Sequence, residues 1–271
     1  MRRLALGLLL ATLPVLPAAA QRPPDTVFLE DLTWTEVRDL QQAGTRAIII
    51  PTAGTEQKGP HMVTGEHKFV LQYTTNQIAR ALGSTLVAPI ITYVPEGSWE
   101  APLRGHMAKA GSITLPEDRF VELLMHTGES LRAGGFTTLI LIGDSGGNQS
   151  GLKQAADRLN TAWQGTRARA VFIGDYYAKA ADDIRTYLMG RGFTREQIGT
   201  HAGMVDTSEL MHVQPTLVRR DRLAPGGGSP DSGVNGDPTK ATPELGKALL
   251  EIKVDNAVRQ VRASVAPQGA R

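Results

Sequence analysis

Four polar clusters in this 271-residue chain hold the residue types that proton transfer or metal binding requires, and each follows an apolar run. Glu56, Lys58, His61 and His67 follow residues 46–50. Glu96 and His106 follow the run that begins at Thr85. Asp144, Ser145 and Asn148 follow residues 137–142, and Asp175 and Tyr176 follow residues 168–173. Carboxylates and imidazoles accept protons or cations, whereas a lysine ammonium offers only donors and a fixed charge. A solvated loop would account for any one of these residues. Four successive clusters at the same kind of position call for one shared site.

The elements that must carry them can be read from periodicity and punctuation. Strands are expected within 46–50, 85–93, 137–142 and 168–173, where β-branched and apolar residues run together. Helices are expected over 34–43, 67–82, 116–133, 149–163, 178–189, 208–213 and 243–261, with Gly83 and Gly134 as stops. Alternating strands and helices imply an α/β fold: three layers, α/β/α, around a mostly parallel sheet. In such a sheet the loops after the strands emerge on one edge, where open α/β proteins bind ligands.

Composition excludes several classes. Arg2 and Arg3, the apolar stretch 4–13 and Ala18-Ala19-Ala20 form the pattern of a secretory leader, so residues 1–20 are expected to be removed and residues 21–271 to form a single domain. The apolar stretch is shorter than the roughly 20 residues a membrane span needs. The expectation is export, most simply to a periplasm, with no membrane attachment after cleavage. Without residues 1–20 the chain keeps 27 basic and 27 acidic residues, which gives no electrostatic basis for nucleic-acid binding. The absence of cysteine excludes disulfides, thiolate metal sites and a cysteine nucleophile. An exported chain of this kind relies on its core and is expected to be a homo-oligomer acting on a small molecule.

The stretch Gly54-Thr55-Glu56-Gln57-Lys58-Gly59-Pro60-His61 resembles the signature loop of the creatininase family. Further similarity lies in His106–Leu115, in the Asp144–Asn148 loop, in His201-Ala202-Gly203-Met204-Val205-Asp206-Thr207-Ser208, and in Ser232–Pro238. The resemblance implies a creatininase-like fold and hydrolysis of a small amide or cyclic amide C–N bond. It also implies a pair of divalent metals, and there the sequence departs. Glu56 keeps a ligand position, but Lys58 stands where the family has a metal-binding histidine, His67 where it has a bridging aspartate and Ser145 where it has another histidine. A carboxylate can bridge two cations, whereas a neutral imidazole serves one. A two-metal centre is therefore not expected. One divalent ion, Zn²⁺ or Mn²⁺, held by Glu56, His67 and Asp144 remains open, with His106 or His201 completing it. So does an ion pair in which Lys58 replaces a cation beside Glu56.

In the catalytic reading Glu56, Lys58, His106, Asp144 and His201 act on the substrate, and His61, Ser145, Asn148, Tyr176 and Asp206 bind it. Two other readings stay open. A catalytically degenerate descendant would bind a small molecule in the same cavity. A serine hydrolase would use Ser145, because Gly143-Asp144-Ser145-Gly146-Gly147 matches the nucleophile-elbow pattern, with Asp175 and His201 following in order. The Gly-, Pro- and Ser-rich stretch 224–243 is expected to be an ordered loop packed near a site or a subunit contact. His126 and His212 are expected to be surface or packing residues.

Overall fold

The computed structural model describes residues 25–265; the leader expected over residues 1–20 lies outside them. Four strands form a parallel sheet: β1 (Ala47–Thr52), β2 (Thr85–Val87), β5 (Thr138–Gly143) and β6 (Arg169–Phe172), in the order β2-β1-β5-β6. In register, Ile48 of β1 lies beside Leu86 and Leu139, and Ile140 of β5 beside Val171.

Strand periodicity builds two cores from these few residues. Ile48, Ile50, Leu139 and Leu141 face one side, where they pack with Phe120, Val121 and Leu124 of α3 (Glu117–Ala133) and Leu152 and Leu159 of α4 (Gln149–Ala162). Ile49, Ile140 and Ile142 face the other, against Leu71 and Ile78 of α2 (Glu66–Leu82) and Ala257, Val258 and Val261 of α8 (Pro243–Val265). Alternate side chains of a strand point to opposite faces, so strands apolar at every position must be covered on both. The three-layer α/β/α expectation holds.

Local chemistry sets several boundaries. The first helix, α1 (Trp34–Gln42), starts with a capping box in which Thr33 and Glu36 bond each other's backbone N–H groups. A second box, Thr194 with Gln197, starts the short α6 (Arg195–Ile198), which periodicity had not suggested. Pro51 is tolerated inside β1 because its ring nitrogen faces the side where β2 has already ended; its carbonyl there accepts from Ile91 N at 3.0 Å.

Some expectations change. The strand expected within 85–93 is only Thr85–Val87, since Pro89 interrupts it; the chain then runs out to a small antiparallel hairpin, β3 (Gly97–Ser98) with β4 (Arg104–Gly105). The helix expected over 208–213 is α7 (Met204–Val213), and α8 runs past residue 261 to Val265. The remaining helix, α5 (Ala178–Met189), falls where expected. The 224–243 stretch is ordered as short 3-10 turns, and its Asn235 pairs with His201 by two backbone hydrogen bonds of 2.8 and 3.4 Å. None of the helices among the described residues is long and apolar enough to cross a membrane.

Candidate active site

The loops after β1, β2 and β5 meet α2, α7 and α8 around a cavity of about 840 Å³ at the carboxyl edge of the sheet. Glu56 and Lys58 enter from the loop after β1, and Glu66 and His67 from the first turn of α2. Glu96 and His106 flank the hairpin. Asp144 and Ser145 follow β5, His201 and Asp206 bracket the start of α7, and Glu209 and Lys253 come from α7 and α8.

Glu56 is the focus, and its two oxygens face different surroundings. Oε1 lies 3.1 Å from Lys58 Nζ and 2.9 Å from His67 Nε2, in the buried interior. Oε2 lies 3.0 Å from His106 Nε2, whose side chain is 31% exposed at the mouth. Lys58 is almost wholly enclosed and reaches two more carboxylates, Asp206 Oδ2 at 2.9 Å and Glu66 Oε2 at 3.3 Å. His67 continues the chain: its Nδ1 lies 3.0 Å from Asp144 Oδ2. Asp144 Oδ1 meets Lys253 Nζ at 3.0 Å, and Lys253 also meets Glu209 Oε2 at 2.7 Å. The interior is thus an unbroken run of alternating acidic and basic side chains from Asp206 to Glu209.

Burial and these contacts decide which groups ionise. Burial would raise the Glu56 carboxyl, but the Lys58 ammonium and the bond to His67 hold it below the usual range. Asp206 and Asp144 are likewise held low against burial, by Lys58 and Lys253 respectively. Burial and Lys58 oppose a charge on His67, but Glu66, Asp144 and Glu56 outweigh them and raise it well above the ordinary value. Glu96 and Glu209 go the other way, pushed up to about 8 chiefly by burial. Burial also raises Glu66. The interior therefore sets the ionised carboxylates of Glu56, Asp144 and Asp206 against the cations Lys58, His67 and Lys253, with the Glu66 carboxyl beside Lys58 and His67.

The mouth is different. Burial lowers both His106 and His201, leaving neutral imidazoles. The turn presenting His201 passes through the left-handed region at Ala202 (φ 49°), a strained conformation held by the Asn235 pairing and by Ala202 N donating to Asp206 Oδ2 at 2.8 Å. His201 Nε2 lies 2.8 Å from the Gln57 carbonyl, to which it can only donate, and 3.0 Å from the Gln57 amide nitrogen, which also donates to the Gly233 carbonyl. In the tautomer that donates to this carbonyl, the lone pair lies on Nδ1, 3.7 Å from Glu56 Oε1. Gly54 keeps space beside this centre, since a Cβ there would meet Glu96 Oε1 at 2.0 Å.

Among the described residues, two groups have ligand atoms within 4.8 Å of one another: Glu56, His106 and His201, and Glu66, His67 and Asp144. The expected metal set Glu56, His67 and Asp144 is divided between them. The first group fits a divalent cation, with two neutral imidazoles, one carboxylate and an open side toward the cavity. The second does not, because both His67 nitrogens face carboxylates as donors and leave no lone pair.

Of the other expected residues, Ser145 and Asp206 line the cavity. His61, Asn148 and Tyr176 do not, contrary to the expectation. His61 is fully buried, with Nε2 2.9 Å from the Thr207 hydroxyl. Asn148 is fully buried and donates to Thr52 O and Oγ1, both at 3.0 Å, which pins the β5 loop to β1. Tyr176 belongs to the core, its hydroxyl 2.9 Å from Thr74 Oγ1; the neighbouring Tyr177 lines the cavity instead. The serine triad is not assembled. Ser145 neighbours Glu96, His201 is engaged by Gln57 and Glu56, and Asp175 lies outside the cavity lining with its N–H bonded to Gln260. Outside the site, His126 is exposed and His212 packs edge-on against Tyr73. Glu66, Gln57, Tyr177, Glu209 and Lys253 were not singled out from sequence; the β-to-helix position of Glu66 was the one available signal.

The family profile Creatininase, described as creatinine amidohydrolase, matches residues 30–261. A mycofactocin precursor peptide peptidase from Mycobacterium ulcerans is 26% identical over 249 residues, covering 82% of this chain and 88% of that protein. A 3-dehydro-scyllo-inosose hydrolase from Thermotoga maritima is 28% identical over 201 residues, covering 73% of this chain and 60% of that protein. Among solved structures, a manganese creatininase superposes with a TM-score of 0.70 at 22% identity, covering 90% of this chain and all of the other. A mutant creatininase of Zn-Zn type gives the same TM-score and identity.

Proposed function

The chain belongs to the creatininase family, and from that premise we propose that it is a hydrolase of a small amide or cyclic amide C–N bond, assisted by one divalent ion. The observation that carries this reading is the position of Glu56. It is a single ionised carboxylate on the cavity floor, backed by two interior cations and faced at the mouth by two neutral imidazoles. The relatives are a peptidase and a hydrolase by name, and the solved neighbours include manganese and zinc forms.

Glu56, His106 and His201 would hold the ion, Zn²⁺ or Mn²⁺, which when bound would polarise a carbonyl and acidify a water. The protein's own residues supply the rest. Lys58 and His67 keep Glu56 ionised. The Gln57 carbonyl holds the His201 ring so that its Nδ1 lone pair faces inward. Glu96, protonated up to about pH 8, can donate to an oxygen or nitrogen that gains charge. Its carboxyl lies in the cavity lining beside the Glu56 carboxylate and the Ser145 hydroxyl.

The test is a panel of small linear and cyclic amides assayed with wild type, with metal-stripped protein and with Glu56→Gln. Turnover that is lost on chelation, restored by Zn²⁺ or Mn²⁺ and absent in Glu56→Gln is expected. Tight binding of a panel member without turnover would move the protein to the degenerate-binder reading.

A further inference from the structure

The interior of the site contains two lysines, Lys58 buried and Lys253 with its side chain 12% exposed, and neither is placed to act as a base or nucleophile. Lys58 Nζ has carboxylate oxygens of Asp206, Glu56 and Glu66 at 2.9, 3.1 and 3.3 Å. An ammonium has three donors and no acceptor, so three carboxylates around it form the coordination of a cation. Lys253 Nζ has Asp144 and Glu209 oxygens at 3.0 and 2.7 Å, with the Tyr176 ring on a further side at 5.7 Å. His67 links the two clusters through Glu56 and Asp144. Each of the five carboxylates in these two clusters therefore has a lysine ammonium within 3.3 Å.

We propose that Lys58 and Lys253 are resident cations of this site, permanently filling its interior, so that a divalent ion is confined to the mouth and the chain holds at most one. The inference rests on the reading of Glu56, His106 and His201 as the ion's holder only for where that one ion sits. The exclusion from the interior follows from the lysine contacts alone. Physically, a tethered ammonium costs no binding entropy and cannot be removed by chelation, so the interior stays folded without metal. It also cannot leave an open coordination position, so the interior serves structure and electrostatics while chemistry moves outward.

The experiment removes one resident cation and asks whether a free one takes its place. Wild type, Lys58→Met, Lys253→Met and the double variant Lys58→Met/Glu66→Gln are dialysed free of metal and then loaded with Zn²⁺ or Mn²⁺. Bound ions per chain are counted by elemental analysis, and melting temperature is measured with and without metal. Wild type is expected to carry no more than one ion. Lys58→Met should melt lower by about 5 °C or more, because it leaves buried carboxylates uncompensated. Added metal should raise its melting temperature at least twice as much as that of wild type, with one further ion bound per chain.

If Lys58→Met does not fold without metal, folding that requires added Zn²⁺ or Mn²⁺ supports the proposal. The double variant, which removes one of the buried carboxyls that Lys58 had paired, should melt above the single variant in metal-free buffer. Two ions bound by wild type would overturn the proposal. So would a Lys58→Met protein that melts like wild type and gains no ion, or a double variant no more stable than the single one. A wild type that binds no ion and shows no turnover would count against the proposed function, yet the difference between Lys58→Met and wild type would still decide this inference.

Discussion

Histidine has two fates in this cavity, a few ångströms apart. His67, 9% exposed at the side chain, lies between Glu56 and Asp144 with each ring nitrogen donating, so it is held as a cation. His106 and His201, nearer solvent, meet one shared carboxylate and stay neutral. The same side chain is a structural charge in the first setting and a ligand or proton carrier in the second. The difference is the number of carboxylates within reach, because each further one favours the protonated ring and removes a lone pair. The interior is a closed electrostatic network, and the mouth keeps unspent acceptors.

The sharpest way to break this comparison is at the residue both halves share. Glu56→Gln should lower kcat/KM by about 10²–10⁴-fold and reduce ion content, while circular dichroism shows the fold retained. Unchanged activity would mean that chemistry lies elsewhere in the cavity. Next comes the interior alone. Lys253→Met leaves Asp144 and Glu209 without their cation, and breaking a buried pair costs about 3–5 kcal/mol. Chemical denaturation should show that loss without a change in ions bound at the mouth.

The mouth should respond in the opposite sense. His106→Ala should weaken Zn²⁺ or Mn²⁺ binding by calorimetry at least as much as the roughly 10–100-fold that outer partners contribute, with little change in melting temperature because the ring is 31% exposed. A large thermal loss with unaltered metal affinity would reverse the two roles.

A pH profile tests the interior more gently. Burial pushes Glu209 from its ordinary 4.5 up to about 8. Between those values the folded chain keeps a proton that the unfolded chain has released. This group's contribution to stability must therefore fall as pH rises from about 4.5 to about 8, and level off above. Glu209→Gln should flatten that part of the stability–pH curve, and an unchanged slope would show that Lys253 keeps Glu209 ionised. The smallest effect is expected at Ser145. Its neighbour is an acid and not an imidazole, so Ser145→Ala should keep most activity and a fluorophosphonate probe should not label it.

Much of the frame was legible in the chain. Three consecutive isoleucines at 48–50 required cover on both sheet faces, and the polar clusters behind successive apolar runs pointed to one edge. Glu56, Lys58, His67, His106, Asp144 and His201 all meet there, because strand ends and helix starts are local features with local signals. His61, Asn148 and Tyr176 sit at the same kind of position and turned inward. Whether a loop residue faces a cavity or the core depends on what packs behind it, which spacing along the chain does not encode.

The same limit explains the lysines. That Lys58 is a cation among ligand positions follows from its chemistry at that place in the loop. That it is neutralised by Glu66 and by Asp206, 148 residues away, follows from α2 and α7 closing on the loop after β1. Lys253 lies in the middle of a helix with nothing in its neighbourhood to mark it, and it becomes the second interior cation because α8 packs across α7 and the end of β5. Residue type and order set which charges exist and which strand ends carry them. Which charges become partners is a matter of distance in the folded chain, and in a water-poor interior that distance decides which carboxylates ionise and which imidazoles keep a lone pair.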